Sequence, residues 1–210
     1  MRNMVLGVIL VFICAFQADE PNFAKMKDVS AFRNGVDQMA ASTTSIQASF
    51  TQEKYLNVLS DKIVSQGSIH FKKPNLLRWE YHQPFEYGII LNGKEITIKD
   101  EGNVNSFDIA SSQAFQQVNE LIIHSVQGNV LDENRFDIEY LENDDLYLTK
   151  LLPKETQMAK FLKGIHIYFD KQNFTVAKIR LIEAEDDYTL ITFSDKALNE
   201  PISDEQFAIK

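Results

Sequence analysis

Between Phe23 and Ala41 apolar side chains fall at Phe23, Met26, Val29, Phe32, Val36 and Met39, steps of three or four that predict a helix with one buried face. Pro21 stands just ahead of it, where a first turn tolerates proline. The period then changes to two. Ile46-Gln-Ala48-Ser-Phe50 predicts a half-buried strand, and Leu77-Arg-Trp79-Glu-Tyr81 another, stopped by Gln83-Pro84 before Tyr87-Gly-Ile89-Ile-Leu91 resumes the alternation. Asn92-Gly93 predicts a type I′ hairpin turn returning through Ile96-Thr-Ile98, because both residues accept the positive φ that this turn requires. Helical spacing comes back once, from Ser111 to Gln127, with Phe115, Val118, Ile122 and Val126 on one stripe and Gly128 able to close it. Strands follow at Phe136–Tyr140, Leu146–Leu148, Ile165–Phe169, Val176–Ile182 and Tyr188–Phe193. Helix, strands, helix, strands is the order of one antiparallel sheet with helices on one side, and no regular βαβ alternation, internal repeat or linker argues for a second domain.

The first residues follow a different grammar. Arg2 precedes an apolar run from Met4 to Phe16, too short to span a bilayer and suited to the core of an export signal. The expectation is a signal peptide at 1–18, cut between Ala15 and Asp19, and one exported domain over 19–210. Cys14 opens a rival reading as a lipidated N-terminus, but the small residue needed before such a cysteine is replaced by Ile13.

Composition narrows the chemistry. Cys14 is the one cysteine, so a mature chain cut beyond it has no disulfide framework and no thiolate metal site. Thirty acidic against 21 basic side chains give a formal charge of −9, which repels nucleic acid phosphates. Gly88-Ile-Ile-Leu-Asn-Gly93-Lys94-Glu95 nearly spells a phosphate-binding loop, yet Glu95 takes the place of the magnesium-binding hydroxyl and the stretch reads as strand and hairpin. His70, His82, His124 and His166 have no metal-ligand spacing, the acidic runs at 142–145 and 183–187 lack the spaced ligands of a calcium loop, and no Gly-x-Ser-x-Gly elbow is present. The expectation is a binding protein, not an enzyme, with no metal and no small cofactor.

Ser45-Ile-Gln-Ala-Ser-Phe-Thr-Gln52, Gly67-Ser-Ile-His-Phe-Lys-Lys-Pro-Asn75, Trp79, Gln83-Pro84 and Asn92-Gly93-Lys94 together resemble, in order and spacing, the outer-membrane lipoprotein carrier proteins of the LolA family. The likeness is sharpest from Ser45 to Lys94 and continues more loosely through Leu151-Leu-Pro153-Lys154 and the terminal strands. It implies a mainly β fold with some helix: an incomplete, half-open antiparallel barrel whose concave apolar face is covered by helices. It also implies a monomeric periplasmic carrier that takes acylated lipoproteins from an inner-membrane releasing transporter to an outer-membrane acceptor. A free lipid or polyene-like lipid on the same fold is the alternative cargo. By the resemblance and the period of two, Phe50, Leu77, Trp79, Tyr81, Tyr87, Ile89 and Leu91 line the cavity, with Phe115 and Ile122 facing it from the second helix. The family's arginine before Pro-Asn, which pins a helical lid through backbone carbonyls, corresponds here to Lys73, a cation without the planar fork. Alternation alone leaves open whether that strand face lines a cavity or fills a core.

Overall fold

A computed structural model describes residues 22–59, 61–93, 95–100, 102–108, 131–183 and 187–208. Chain order begins with β1 (Ala24–Lys25), α1 (Val29–Ser42), β2 (Ser45–Tyr55), β3 (Ile63–Lys72), β4 (Leu76–Gln83), β5 (Tyr87–Asn92), β6 (Glu95–Asp100) and β7 (Asn103–Asp108). After 109–130 come β8 (Phe136–Glu142), β9 (Leu146–Pro153), the single turn α2 (Thr156–Ala159), β10 (Leu162–Asp170), β11 (Val176–Glu183), β12 (Tyr188–Leu198) and a 3-10 turn, Asp204–Phe207. The helix expected at Ser111–Gln127, with Phe115 and Ile122, lies outside the described residues.

All the strand pairs are antiparallel, and the sheet runs β1-β8-β9-β10-β11-β12-β2-β3-β4-β5-β6-β7. Its two halves, each a meander, are joined by β12 lying against β2 from Tyr188 opposite Tyr55 to Leu198 opposite Ile46. The outer strands β1 and β7 do not pair with each other, so the sheet curls without closing. Register shifts in β10, between Ser194 and Ala197 of β12, and between Gln66 and Gly67 of β3 supply bends, since an extra residue on one strand sharpens its twist.

α1 begins at Val29, six residues later than the apolar stripe suggests. The Asp28 carboxylate accepts the Ala31 N–H at 2.9 Å and starts the helix there, while Ala24–Lys25 pairs with Leu141 and Glu142 at the sheet edge. Phe32, Val36 and Ala40, four apart, form its buried face. Phe32 and Val36 pack on Leu151, Ile165, Ile167 and Phe169, and the Phe32 ring meets Tyr140, Tyr147 and Phe169 at centroid distances of 6.2, 4.8 and 5.2 Å. Gly35 lets the helix come this close, because a Cβ there would lie 2.4 Å from the Phe174 ring.

The hairpin after β5 forms, one residue further on than the Asn-Gly pair suggests. Leu91 opposes Ile96, which makes Asn92 the last strand residue and puts Gly93 first in the two-residue loop at φ +89°. Glycine there supplies the positive φ that a primed hairpin turn requires at its first central position. Asn92 caps the loop instead, accepting the Glu95 N–H on Oδ1 at 2.9 Å. The near-match to a phosphate loop is thereby strand and hairpin.

The outward face of the central strands carries the C-terminal segment. Arg78 Nη1 donates to the carbonyls of Gln206 and Ala208 at 2.7 and 3.3 Å, Lys72 Nζ donates to Ile202 O at 2.9 Å, and Ile202 and Phe207 are buried. Among the described residues no helix is long and apolar enough to cross a membrane.

Candidate functional site: the concave face of the sheet

Side chains alternate across a sheet, so register decides which residues share a face. Three rungs run across the β2–β6 half. The first is Ile46, Phe71, Leu77, Leu91 and Ile96; the second Ala48, Ile69, Trp79, Ile89 and Ile98; the third Phe50, Gly67, Tyr81, Tyr87 and, at the strand end, Asp100, extended to Phe193 on β12. The described residues expected to line a cavity, Phe50, Leu77, Trp79, Tyr81, Tyr87, Ile89 and Leu91, thus stand on one face. Their burial is not uniform. Phe50, Leu77 and Leu91 are buried, whereas Trp79, Tyr81, Tyr87 and Ile89 keep part of their surface accessible.

The third rung is aromatic by construction. The Phe50 ring lies across Gly67, where a Cβ would sit 2.5 Å from the ring and 1.9 Å from Glu80 O. Trp79 is 4.7 Å from Phe50 and 6.1 Å from Phe193, and Tyr81 is 5.1 Å from Phe50 and 6.0 Å from Tyr87, centroid to centroid. Such tilted and edge-on pairs add about 0.5–1.5 kcal/mol each beyond the area they bury. Polarity rises toward the β2–β3 hairpin: the Tyr81 hydroxyl donates to Gln52 Oε1 at 2.9 Å, and burial pushes the phenol above the usual tyrosine value, partly opposed by the neighbouring Trp79 indole.

α1 covers the β8–β11 half of the same face, and its residues belong to that half's apolar cluster but not to the cluster of Ala48, Ile69, Phe71, Leu77, Leu91 and Ile96. Polar contacts hold both its ends. Lys73 Nζ donates to Ala40 O at 2.8 Å and Ala41 O at 3.2 Å, two of the carbonyls that a helix C-terminus leaves without intrahelical partners. The Met39 carbonyl is taken by Thr43, through its N–H at 3.0 Å and its hydroxyl at 2.7 Å. Toward the other end Arg33 pairs with Glu133, donates to the Tyr140 hydroxyl at 3.1 Å and reaches Leu131 O at 3.3 Å. Burial raises the Tyr140 phenol above its usual value, the Arg33 charge acting against it.

Sequence reasoning missed Phe193, Gly67, Gln52 and Arg33. Phe193 continues the period of two from Ile191 and was findable; Arg33 sits on the polar side of α1, and nothing local marks its partners 98 to 107 residues away. Two concavities are present, the second bordered by Tyr81 and Tyr87 of the third rung. One of about 150 Å³ is on the outward face beside Phe23, Tyr168, Arg180 and Leu190, and one of about 330 Å³ is at the strand ends beside Tyr81, His82, Tyr87 and Lys99. No group of three or more metal-binding side chains occurs among the described residues.

Comparison with known proteins places this geometry. The family model described as outer membrane lipoprotein carrier protein LolA matches residues 41–210. An outer-membrane lipoprotein carrier protein of Francisella philomiragia is 29% identical over 215 aligned positions, covering 100% of this chain and 94% of the relative. One from Coxiella burnetii is 25% identical over 183, covering 83% and 81%. A solved structure of an uncharacterized conserved protein from Thermus thermophilus shares the fold at a TM-score of 0.52 and 9% identity, over 84% of this chain and 90% of that one. An unclosed antiparallel sheet with an apolar inner face, matched by the family model over four-fifths of its length, identifies the chain as a member of the outer membrane lipoprotein carrier protein LolA family.

Proposed function

We propose that this protein is a periplasmic carrier that shields the acyl chains of lipoproteins in transit from the inner to the outer membrane, without catalysing a reaction. Each buried methylene is worth about 0.8 kcal/mol, so long acyl chains do not cross water unshielded at a useful rate. The observation that carries the reading is the inner face of β2–β6. It is apolar over two rungs and aromatic over most of the third, and Trp79, Tyr81, Tyr87 and Ile89 retain accessible surface where a filled core has none. Cargo extends along the inner face into the β8–β11 half when α1 swings away from it, and Lys73 on the α1 carbonyls biases the closed form. Residues 1–18 act as a cleaved export signal. A transporter that releases lipoproteins from the inner membrane and an acceptor at the outer membrane are the partners such a cycle requires.

The test is to purify the exported protein from its own host under detergent-free conditions and identify what it carries. Acylated polypeptides support the reading; a free lipid as the sole cargo replaces it with free-lipid carriage on the same fold. Mass measurement of the same sample locates the mature N-terminus, where an acylated Cys14 contradicts a free carrier.

A further inference from the structure

Single exposed apolar side chains are ordinary, but here they gather on one rim of the sheet. Val58 is 86% exposed, Phe161 73% and Phe85 66%, and Leu59, Ile63 and Val64 are exposed beside Val58. In an antiparallel sheet the register decides which turns share a rim. β2 ends where β12 begins, with Tyr55 opposite Tyr188, and β10 begins where β11 ends, with Leu162 opposite Glu183. Tyr81 and Tyr87 close the β4–β5 ladder just before the turn that carries Phe85. The β2–β3 turn, the β4–β5 turn and the connection into β10 therefore stand on the same rim. Of the large apolar side chains exposed among the described residues, only Phe107 lies toward the other. That other rim turns on polar side chains: Asn143 Oδ1 accepts the Asp145 and Leu146 N–H groups, and Asp170 and Asn173 accept those of Gln172 and Thr175.

The β2–β3 turn is built to present its tip. The Asn57 N–H donates to Asp187 Oδ1 at 2.7 Å and the Leu59 N–H to Leu56 O at 2.8 Å, so the turn is tied down while Val58 stays exposed. β3 meets β4 only from Gln66 onward, which leaves 63–65 and the turn before them projecting past that neighbour. Directly behind the tip the Tyr55 and Tyr188 rings stack at 5.2 Å, and the Arg180 guanidinium lies 4.2 Å over Tyr188. Apolar side chains outermost, with tyrosine rings and a cation behind them, is the layering of a surface that enters a bilayer interface. A fluid lipid surface also takes up side chains from separate turns without a matched contour. Charge selects the kind of bilayer. Glu183 and Asp187 flank the turn, Lys54 and Lys62 are paired with Glu183 and Glu53, and the chain carries a formal −9, so an anionic surface is repelled and a zwitterionic one is not. We infer that this rim is a membrane-docking edge: the β2–β3 turn, with Phe85 and Phe161 on the same rim, inserts into the headgroup region of an electrically neutral, zwitterionic bilayer. The rim is continuous with the inner face through Tyr81 and Tyr87, so a docked molecule holds that face against lipid. Docking of this kind goes beyond carriage, and its test needs no cargo.

A chain cut beyond Cys14 has no other thiol, so Val58→Cys, Phe161→Cys and Gln172→Cys each take one environment-sensitive dye. Gln172 is exposed on the opposite rim and serves as the reference. With vesicles of phosphatidylcholine and phosphatidylethanolamine, emission at 58 and 161 should shift to the blue and be quenched by nitroxide labels on the acyl chains, and emission at 172 should not change. Val58→Ser combined with Leu59→Ser, in the unlabelled protein, should lower vesicle partitioning by about tenfold or more, at an unchanged melting temperature because both side chains are exposed. If that variant does not fold, the contrast between 161 and 172 decides alone. Adding phosphatidylglycerol to the vesicles should weaken binding. No binding to neutral vesicles, an equal response at 172, partitioning unchanged by the double substitution, or binding that strengthens with phosphatidylglycerol overturns the membrane edge and leaves carriage standing. A wild-type dimer that the double substitution abolishes, without vesicle binding, overturns it as well and makes the rim a contact between copies of the chain.

Discussion

Glu80 shows how a single outward side chain supports the inner face. It lies between Trp79 and Tyr81 on β4 and points the other way, where the Arg78 guanidinium donates to it at 2.6 Å while reaching the carbonyls of Gln206 and Ala208. The Arg78 hydrogen bond holds the Glu80 carboxyl below its ordinary value of 4.5, against the opposing effect of burial. A depressed folded value means the stabilisation is present above the ordinary glutamate range and is lost as pH falls through the lower, folded value. Wild type should therefore resist urea better than Glu80→Gln at neutral pH, by on the order of 1 kcal/mol, with the gap closing as the pH is taken below the ordinary glutamate range. A gap unchanged by acid would detach Glu80 from that role. At this scale the sequence was informative about direction and silent about burial. Alternation correctly sends Arg78 and Glu80 outward and Leu77, Trp79 and Tyr81 inward, but nothing in it separates Leu77, 1% exposed, from the half-buried Trp79, because that difference depends on what packs above each rung.

Among the elements, α1 carries the clearest mechanical consequence. Its apolar face is seated on β8–β11, and its C-terminal carbonyls are held by a lysine from the β3–β4 connection. A charged donor to a carbonyl is worth roughly 1.5–3 kcal/mol, enough to bias a cover without fixing it. Lys73→Leu should raise amide hydrogen exchange in the last turn of α1 by about tenfold or more, whereas Lys73→Arg should keep protection at or above the wild-type level, since its fork can serve several carbonyls. If exchange in α1 and cargo transfer are both unaltered by Lys73→Leu at equal global stability, Lys73 only decorates a turn. The contact was legible as a family expectation because a basic residue precedes Pro74-Asn75, but its partners Ala40 and Ala41 were not. Elements with a strong internal period were readable in the same way. β7, all six residues exposed in Asn-Val-Asn-Ser-Phe-Asp, has no alternation to read and exists through its pairing with β6. The two-residue β1 is likewise a product of the β8 edge, and it displaces the start of the helix that the apolar stripe alone extends to Phe23.

For the molecule as a whole, the sheet joins the ends of the chain through β12 and β2 and presents one continuous inner face, half under α1 and half built on the Phe50, Trp79 and Leu77 rungs. The order of elements made an antiparallel, helix-covered sheet legible; that the sheet stays open follows from which strands become edges, a long-range outcome with no local signature. The central claim is that the inner face, and not the outer, meets acyl chains. Placing a photoactivatable side chain at position 79, and separately at its outward neighbour 78, in the exported protein of the native host tests this directly. The account predicts capture of acylated polypeptide at 79 and none at 78; capture at 78 alone, or at neither position while the protein remains folded, would contradict it.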